Sequence, residues 1–418
     1  MSEFDRIIGY ESVKNELKKI CDMLRNPELY ESLGAKMSHG LLISGKPGLG
    51  KSLMATCLIK ECGRKSYIIR RNKPNEDFIN ELHKTFETAA ENAPSVILLD
   101  DMDKFAAEEH NDEEYIAVQA CIDEVKEKSV YVIATVNNIY RLPESLSRSG
   151  RFDRTIEVEV PQGDEAVKII KHYLSTKTVS DDLNITDIAK MLKNCSCAEL
   201  ETVINEAAIL AAYERCEKIE MKHIVESVLK NNYYVEKITA SVSTKKLERL
   251  ACHEAGHTVA CEVMHKGGIG FACINYSGER SNGFVIRYSD CSNEEHIMMN
   301  LAGRAAVDLI YGETDEGSSD DLDKAIHALE TRVCSMGMNG FNFLDIMHPR
   351  GVKSENQMSQ QENVIRAELE RYYEQTKKLL AANKEFLVAV TNALLEKNIL
   401  LSSDIERLRE ATVVNAAV

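Results

Sequence analysis

The sequence contains no long apolar run. Its longest apolar stretches, at 95–99 and 130–136, are far shorter than the roughly 20 residues that cross a bilayer. Short runs of this kind are typical of buried parallel strands. We therefore predict that this chain contains no membrane-spanning segment.

A disulfide framework and a secretory signal are also missing. The cysteines are spread from Cys21 to Cys334, and the close pair Cys195 and Cys197 has no second pair to complete a zinc ribbon. Cysteines without framework spacing indicate reduced thiols. Since no secretory signal precedes them, we expect a cytoplasmic protein.

Basic residues are not in excess. The chain has 51 lysines and arginines against 67 acidic residues, which gives a formal net charge of −16 at pH 7. Because binding to nucleic-acid phosphates requires a concentrated basic surface, this balance argues against a nucleic-acid partner.

With 418 residues, the chain is long enough for two or three domains with separate cores. The first part alternates strand-like apolar runs with helical periodicity, which predicts an α/β domain with a parallel sheet. The strand candidates are 40–43, 67–69, 96–99, 130–134 and 155–160.

The sequence after residue 165 loses the strand pattern and indicates helices. Residues 199–213 place Leu200, Val203, Ile204 and Ala207 on one face, as in a small helical lid. A linker is expected at 231–234 and 239–244, followed by a mostly helical region with a possible hairpin at 271–288. The predicted domains are 1–162, 163–235 and 236–418.

A glycine-rich phosphate-binding motif follows the first strand. The sequence GKPGLGKS at 45–52 fits G-x-x-x-x-G-K-[S/T], and a helix-like run begins at Leu53. Backbone N–H groups of such a loop surround phosphate oxygens. Lys51 would reach the β and γ phosphates and Ser52 would bind Mg²⁺. The alternative is a glycine-rich turn with a surface lysine.

Acidic residues end the next buried strand. Asp100 fits the role of an Mg²⁺ carboxylate in a phosphate-loop enzyme. Asp101 stands where a carboxylate orients the attacking water, although its side chain is one methylene shorter than glutamate. The alternative is that Asp101 only caps a helix starting at Met102.

Three more polar residues, Asn137, Arg148 and Arg151, are candidates for the nucleotide site. Asn137 stands at the end of the strand predicted from 130 and suits sensing of the γ-phosphate. Arg148 and Arg151 flank Gly150, and taken alone they would be a solvated surface pair.

The second half contains HEAGH at 253–257, which matches H-E-x-x-H. The spacing puts His253 and His257 on one helix face, where both can bind Zn²⁺, and Glu254 can act as a base on water. A chance helical pair is the alternative. Carboxylates for a third ligand lie at 317–322, where Ser318 or Ser319 could equally cap a helix.

These elements together resemble the FtsH-type AAA+ zinc metalloproteases over 4–408. FD at 4–5, IGYE at 8–11 and GAKM at 34–37 resemble the opening of the family's ATPase module, and SCAEL at 196–200 resembles its lid, with Cys197 in place of glycine. The resemblance implies that Ile8 and Gly9 contact adenine. It also implies that Arg148 and Arg151 act on ATP in a neighbouring subunit of a homo-hexameric ring.

The second half is similar to the family's peptidase domain, with four motifs in the same order. They are HEAGH, LAGRAA at 301–306, YGE at 311–313 and the segment 317–325. The resemblance implies that Asp321 is the third zinc ligand. Asp320 stands where asparagine is common and is not assigned to the metal.

The expected architecture is an α/β AAA+ nucleotide-binding domain with a small helical lid, followed by a mainly α-helical zinc metallopeptidase domain. The expected cofactors are ATP, Mg²⁺ and Zn²⁺. The candidate nucleotide-contacting residues are Ile8, Gly9, Gly45, Pro47, Gly48, Leu49, Gly50, Lys51, Ser52, Leu53, Asp100 and Asn137. The candidate catalytic residues are Glu254, Asp101, Arg148 and Arg151, and the candidate metal ligands are His253, His257 and Asp321.

The sequence departs from the family in three respects. The family's N-terminal membrane anchors are not found in this chain. The aromatic-hydrophobic-glycine loop that grips substrate is missing from 69–78, where Phe78 could substitute but has the spacing of a buried helix face with Leu82 and Phe86. Asp101 replaces the water-orienting glutamate, which would slow ATP hydrolysis.

The leading hypothesis is an ATP-dependent zinc metalloprotease that hydrolyses unfolded or damaged proteins in a ring. The alternative is a nucleotide-switched ring assembly or adaptor with weak or ATP-independent peptidase activity. The missing grip motif and Asp101 motivate this alternative.

Overall fold

The computed structural model describes residues 2–36, 38–72, 75–105, 113–146, 150–234, 244–277, 280–313, 318–340, 344 and 355–415. The chain divides into two compact units. The first comprises Met1–Ile185 and Asn194–Ile224, and the second comprises Thr186–Lys193 and Val225–Val418.

The first part of the chain alternates strands and helices. The strands are β1 (Gly40–Ser44), β2 (Lys65–Ile69), β3 (Ser95–Leu99), β4 (Val130–Val136) and β5 (Arg154–Glu157). The helices are α1 (Glu11–Arg25), α2 (Pro27–Ser32), α3 (Lys51–Cys62), α4 (Asn75–Glu91), α5 (Glu113–Glu124), α6 (Gly163–Leu174), α7 (Ile185–Met191), α8 (Cys197–Tyr213) and α9 (Met221–Tyr233). Short 3₁₀ turns occupy Glu3–Arg6, Met102–Lys104 and Ile139–Arg141.

The strands β1 to β5 form a parallel sheet in the order β2-β3-β4-β1-β5. The three inner strands are buried at every position, whereas the edge strands β2 and β5 are partly exposed. This agrees with the predicted α/β domain, since continuous apolar runs are typical of strands covered on both faces. The carboxyl ends of β3, β4 and β1 are adjacent, so the residues that follow them meet at one edge of the sheet.

Capping residues fix the start of α8. The Ser196 hydroxyl accepts a hydrogen bond from the backbone N–H of Glu199, and the Glu199 carboxylate accepts one from the backbone N–H of Ser196. This reciprocal pair satisfies two helix-end donors. The predicted apolar face of α8 is confirmed, because Leu200, Val203, Ile204 and Ala207 are all buried.

The second unit is mainly helical. Besides most of α7 and α9, it contains the helices α10 (Thr244–Met264), α11 (Asn293–Tyr311), α12 (Ser319–Glu330), α13 (Glu355–Ala382), α14 (Lys384–Lys397) and α15 (Ser402–Glu410), with a π-helical turn at Thr331–Ser335. The strands β6 (Ile269–Ser277), β7 (Arg280–Arg287) and β8 (Ile399–Leu401) form an antiparallel sheet in the order β7-β6-β8. The predicted hairpin is therefore confirmed. Buried alanines and aliphatic side chains of α10, α11, α14 and β6 form the core of this unit.

Two expectations about element boundaries are wrong. The fifth strand ends at Glu157 rather than at residue 160, because the N–H of Val158 makes its last bond to the carbonyl of Ser44 before the chain leaves the sheet. Residues 231–233 are helical rather than a linker, since Tyr233 stacks on Phe284 at 5.0 Å and holds the last turn of α9 against β7. The expected linker residues 239–243 lie outside the described residues.

Candidate nucleotide site and candidate metal centre

The predicted phosphate-binding loop connects β1 to α3, and its lysine points back along the loop. Lys51 Nζ donates to the carbonyl oxygens of Gly45 and Lys46, both at 2.7 Å, and to Asn137 Oδ1 at 2.8 Å. Lys51 is buried, with 5% of its surface exposed. Burial lowers the pKa of Lys51, although the carboxylates of Asp101, Asp103 and Asp100, which follow β3, oppose the shift. The predicted sensor Asn137 therefore lies beside the predicted phosphate lysine.

Asp100 follows β3 and accepts several hydrogen bonds at the carboxyl-terminal edge of the parallel sheet. The Ser52 and Thr135 hydroxyls both donate to its Oδ1 at 2.7 Å. The guanidinium of Arg70 donates to its Oδ2, from Nε at 2.8 Å and from Nη2 at 2.6 Å. Burial acts to raise the pKa of Asp100, but these hydrogen bonds outweigh it and lower the pKa. Asp100 is therefore ionised and lies next to Ser52, as a carboxylate that holds a divalent cation must.

Asp101 faces the same edge. Its backbone is in the left-handed region, with φ at 56°, and its side chain makes no capping bond to the 3₁₀ turn that follows. Asn137 Nδ2 donates to Asp101 Oδ1 at 3.3 Å, and Lys104 Nζ lies 2.7 Å from Oδ2. The side chain therefore points toward Asn137 at the carboxyl-terminal edge of the parallel sheet, and it does not cap the 3₁₀ turn.

The predicted adenine segment lies against the start of α8. Tyr10 follows Ile8 and Gly9, and its hydroxyl donates to the carbonyl of Glu159 at 3.1 Å and lies 3.4 Å from Cys197 Sγ. At the other end of the site, the N–H of Ala198 donates to the carbonyl of Gly48 at 3.0 Å. Both contacts bring the first turn of α8 to the predicted nucleotide site. The other loop residues predicted to contact nucleotide are Pro47, Leu49, Gly50 and Leu53, which lie between β1 and the first turn of α3.

The two predicted arginine fingers differ in what the structure describes. Arg148 lies outside the described residues. Arg151 makes a two-point ion pair with Asp123, with Nη2 at 2.7 Å from Oδ2, and donates to the carbonyl of Ser145 at 2.6 Å. The Arg151 guanidinium holds the pKa of Asp123 down at about 2. Arg151 is therefore positioned by its own chain and is separate from the residues around Asp100.

The candidate metal centre joins α10 to the first turn of α12. His253 Nε2 and His257 Nε2 are 2.9 Å apart, and each lies within 3.2 Å of Asp321 Oδ2. Burial acts to raise the pKa of Asp321, but the two histidines outweigh it and lower the pKa. Two imidazole nitrogens and one carboxylate oxygen that converge on one point are the donor set of a catalytic zinc site. Zn²⁺ therefore fits these residues.

A backbone contact sets the tautomer of one histidine. His257 Nδ1 lies 2.6 Å from the carbonyl oxygen of Met299, which can only accept a hydrogen bond. Nδ1 therefore carries the proton, and Nε2 presents its lone pair toward His253 and Asp321. Contacts of this kind orient metal-binding imidazoles.

Two glycines leave room for side chains of the HEAGH segment, Gly303 for the His253 ring and Gly283 for the Glu254 carboxylate. A Cβ added at Gly303 of α11 would lie 2.4 Å from Cε1 and Nε2 of His253. A Cβ at Gly283 of β7 would lie 2.3 Å from Glu254 Oε1. Only glycine leaves room for the His253 ring and the buried Glu254 carboxylate at these positions.

A cleft of about 170 Å³ opens beside Glu254, His257 and Asp321. Its other walls come from β7, α11 and Lys324 of α12, and they include Arg287 and Asn300. Glu254 therefore lines the same cleft as His257 and Asp321.

Two other predicted polar residues lie at the start of α12. Asp320 is exposed and is not part of the cluster around His253. Ser318 occupies the position before the helix but makes no side-chain capping bond, and Arg304 donates to its hydroxyl at 3.4 Å.

A second group of potential ligands is not suited to a metal. Glu214, Cys216 and His223 lie close together. His223 Nδ1 accepts the backbone N–H of Glu220 at 2.9 Å, so the proton of the neutral ring is on Nε2, which lies 3.3 Å from Glu214. The nitrogen that faces the cluster therefore has no free lone pair.

Phe78 does not replace the missing grip motif. Its side chain is fully buried on α4, as are those of Leu82 and Phe86, and its ring packs edge-on against Phe105 at 4.9 Å. The helix-face interpretation of Phe78 is confirmed, and a gripping role for it is wrong.

Comparison with known proteins places the two units in one family. The model of the ATPase family associated with various cellular activities matches residues 41–160, the AAA+ lid domain matches 182–226, and peptidase family M41 matches 240–408. An ATP-dependent zinc metalloprotease FtsH of Lachnoclostridium phytofermentans is 30% identical over 429 residues, which cover 96% of this chain and 74% of that protein. The chain belongs to the FtsH family.

Other FtsH proteins match over a similar extent. FtsH of Helicobacter pylori is 28% identical over 97% of this chain and 70% of its own length. FtsH 2 of a Thermoanaerobacter species is also 28% identical, over 97% of this chain and 82% of its own length. This FtsH-family protein is an ATP-dependent zinc metalloprotease with ATPase activity, and its cofactors are ATP, Mg²⁺ and Zn²⁺. The comparisons favour the protease hypothesis over the adaptor alternative.

None of the described helices of this FtsH-family chain combines the length and apolar character needed to cross a bilayer. No disulfide joins any of the twelve cysteines, all of which lie in the described part of the chain.

Sequence reasoning missed three residues of these sites. No motif indicated that Arg70 pairs with Asp100, because Arg70 follows the edge strand β2. Arg287 and Asn300 were missed as well, because their approach to Glu254 depends on how β7 and α11 pack against α10. The glycine in each of those two elements was the only local signal.

Proposed function

We propose that the first unit of this FtsH-family protein binds Mg·ATP at the edge formed by β1, β3 and β4. Lys51 contacts the β and γ phosphates, and Ser52 and Asp100 hold Mg²⁺. Asp101 orients the attacking water and Asn137 senses the γ-phosphate. The proximity of these five side chains supports the assignment.

The second unit hydrolyses peptide bonds at the centre formed by His253, His257 and Asp321. When bound there, zinc supplies Lewis-acid chemistry that polarises a peptide carbonyl and makes water more acidic. Glu254 accepts a proton from the attacking water at its carboxylate and delivers it to the nitrogen of the departing amine. The observation that carries this proposal is the convergence of three donor atoms within 3.2 Å of one another.

Zinc content tests the ligand assignment directly. Asp321→Asn removes an anionic ligand and is expected to lose most of the bound zinc, measured by elemental analysis after gel filtration. Asp320→Asn is the matched control, since its carboxylate is adjacent in sequence but outside the cluster, and it is expected to keep one zinc per chain. A variant at Asp321 that retains zinc, or one at Asp320 that loses it, contradicts the assignment.

The ATPase works in a homo-hexameric ring, where Arg148 and Arg151 act on ATP bound by the neighbouring subunit. The family supports this arrangement, and so does the separation of Arg151 from the residues around Asp100. Mixing Lys51→Ala subunits with Arg151→Ala subunits tests it. Each variant alone is expected to be inactive, whereas mixed rings regain ATP hydrolysis, because a Lys51→Ala subunit still supplies Arg151 to its neighbour. Mixtures that stay as inactive as either variant contradict action between subunits.

The substrates are unfolded or damaged proteins, and the protease acts in the cytoplasm. The protease activity of the family and the cysteines without framework spacing support this proposal. The proposed domain boundaries remain 1–162, 163–235 and 236–418, and the three matched ranges support them.

A further inference from the structure

The cleft beside Glu254 contains a buried hydrogen-bond donor without a partner. Asn300 of α11 is 94% buried, since 6% of its surface is exposed, and its Nδ2 has no hydrogen-bond partner among the described residues. Buried polar groups are nearly always paired, because an unpaired donor loses its hydration without compensation. A donor left unpaired at the wall of a catalytic cleft indicates a ligand atom that accepts from it.

The same cleft is lined by Arg287, a cationic side chain that is not paired with a described carboxylate. Arg287, the last residue of β7, has Nη1 3.3 Å from His296 Nδ1 and 3.4 Å from the sulfur of Met299. Burial, together with the charge of Arg287, lowers the pKa of His296, so this imidazole is neutral and accepts the hydrogen bond. No described carboxylate is paired with Arg287, and its charge remains available to the cleft.

The second cationic side chain of the cleft, Lys324, is different. Lys324 lies 3.3 Å from Asp321 Oδ1, so its charge is already offset by a carboxylate of the metal centre. Arg287 and Asn300 therefore provide the donors that remain. A guanidinium and a carboxamide NH₂ together match the two oxygens of a carboxylate, for which Arg has the strongest geometric preference.

We propose that Arg287 and Asn300 form a carboxylate-binding subsite, which favours protein substrates with an aspartate or glutamate next to the scissile bond. The subsite shares one cleft with Glu254, so the residue it holds is adjacent to the bond that is cut. A carboxylate there would satisfy Asn300 Nδ2 and neutralise Arg287. The inference rests on the proposed peptidase role of Glu254.

Matched peptides test this preference. Two fluorogenic peptides that differ only by glutamate or glutamine beside the scissile bond are compared by kcat/KM. We expect the glutamate peptide to be favoured by about 10-fold, since sites built for a charged hydrogen bond discriminate strongly against the neutral analogue. Arg287→Gln and Asn300→Leu are expected to reduce that ratio toward one. Arg371→Gln, which removes one positive charge from the exposed ion pair with Glu368 on α13, is expected to keep it.

Binding provides a second readout that does not depend on turnover. The two peptides, labelled for fluorescence anisotropy, are titrated into Glu254→Gln protein with and without Arg287→Gln. We expect the glutamate peptide to bind more tightly only where Arg287 is present.

The outcomes separate the two proposals. Equal kcat/KM for both peptides in the wild type, with Glu254→Gln inactive, overturns the subsite but keeps the peptidase role. An equal loss for both peptides in Asn300→Leu shows that Asn300 binds a backbone carbonyl and also overturns the subsite. Activity retained in Glu254→Gln overturns the proposed function itself.

Discussion

Replacing Gly303 by alanine is expected to damage the metal centre without unfolding the protein. The new Cβ would lie 2.4 Å from Nε2 and Cε1 of His253 and 2.7 Å from Cδ2. Ordinary carbon contacts begin at about 3.5 Å, so the His253 ring has to move by about 1 Å. The donor atoms of the centre are only 2.9 to 3.2 Å apart, and a shift of this size separates them.

The size of the effect follows from that displacement. A misplacement of about 1 Å costs roughly 100-fold in catalysis, and disturbed ligand orientation typically costs ~10- to 100-fold in metal affinity. We expect Gly303→Ala to lose zinc affinity by at least ~10-fold. Its kcat/KM on a peptide at saturating zinc should fall by about 100-fold. Competition with a zinc-binding dye measures the affinity, and a fluorogenic peptide measures the rate.

A control on the same helix separates strain from site damage. Gly312 ends α11 with φ at 67°, and a Cβ there has no atom of the described residues within 4 Å. Gly312→Ala therefore costs about 1 kcal/mol of backbone strain but should keep zinc affinity. Wild-type zinc affinity and turnover in Gly303→Ala would refute the account of how α11 packs against His253.

Three other substitutions test the first unit. Asp101→Glu lengthens the water-orienting side chain by one methylene, and steady-state measurements are expected to show a higher kcat for ATP hydrolysis. Arg70→Gln removes the guanidinium that competes for Asp100, and nucleotide-binding titrations should need less Mg²⁺, by up to ~5-fold for a partly exposed pair. Phe78→Ala removes a fully buried ring and should lower the free energy of unfolding by about 3–5 kcal/mol in denaturant titrations, with no selective loss of substrate engagement.

Each of these substitutions has a contradicting result. Slower hydrolysis in Asp101→Glu would show that the shorter carboxylate is the fitted one. Lys65→Gln is the control for Arg70→Gln, since it removes a positive charge from β2, where Lys65 donates to Asn92. An equal decrease in the Mg²⁺ requirement of Lys65→Gln would show that the effect of Arg70→Gln comes from the lost charge and not from its pairing with Asp100. Unchanged stability in Phe78→Ala, with loss of ATP-dependent degradation alone, would restore a gripping role for Phe78.

Much of the fold was predictable from the sequence because its signals are local. Continuous apolar runs identified the inner strands, and the phosphate loop and the H-E-x-x-H pair identified the residues that begin α3 and line α10. The adjacency of Asp100 and Asn137 then follows from parallel strands that end at one edge. Asp321, far away in sequence, came from resemblance alone.

The remaining features depend on packing between distant segments. The pairing of Arg70 with Asp100 joins an edge strand to a central one, and no spacing rule connects them. Asn300 lies next to Met299, whose carbonyl accepts a hydrogen bond from His257, but only the packing of α11 against α10 reveals that Asn300 lines a cleft and that its Nδ2 is buried without a partner among the described residues. The helical end of α9 was missed for the same reason, since aromatic packing outweighs the weak helix propensity of its asparagines.

Degradation of an unfolded model protein tests the central claim most directly. The wild type is assayed with and without ATP, and Glu254→Gln is assayed with ATP under the same conditions. The account predicts loss of the substrate only in the wild type with ATP. Degradation by Glu254→Gln, or equal degradation with and without ATP, would contradict it.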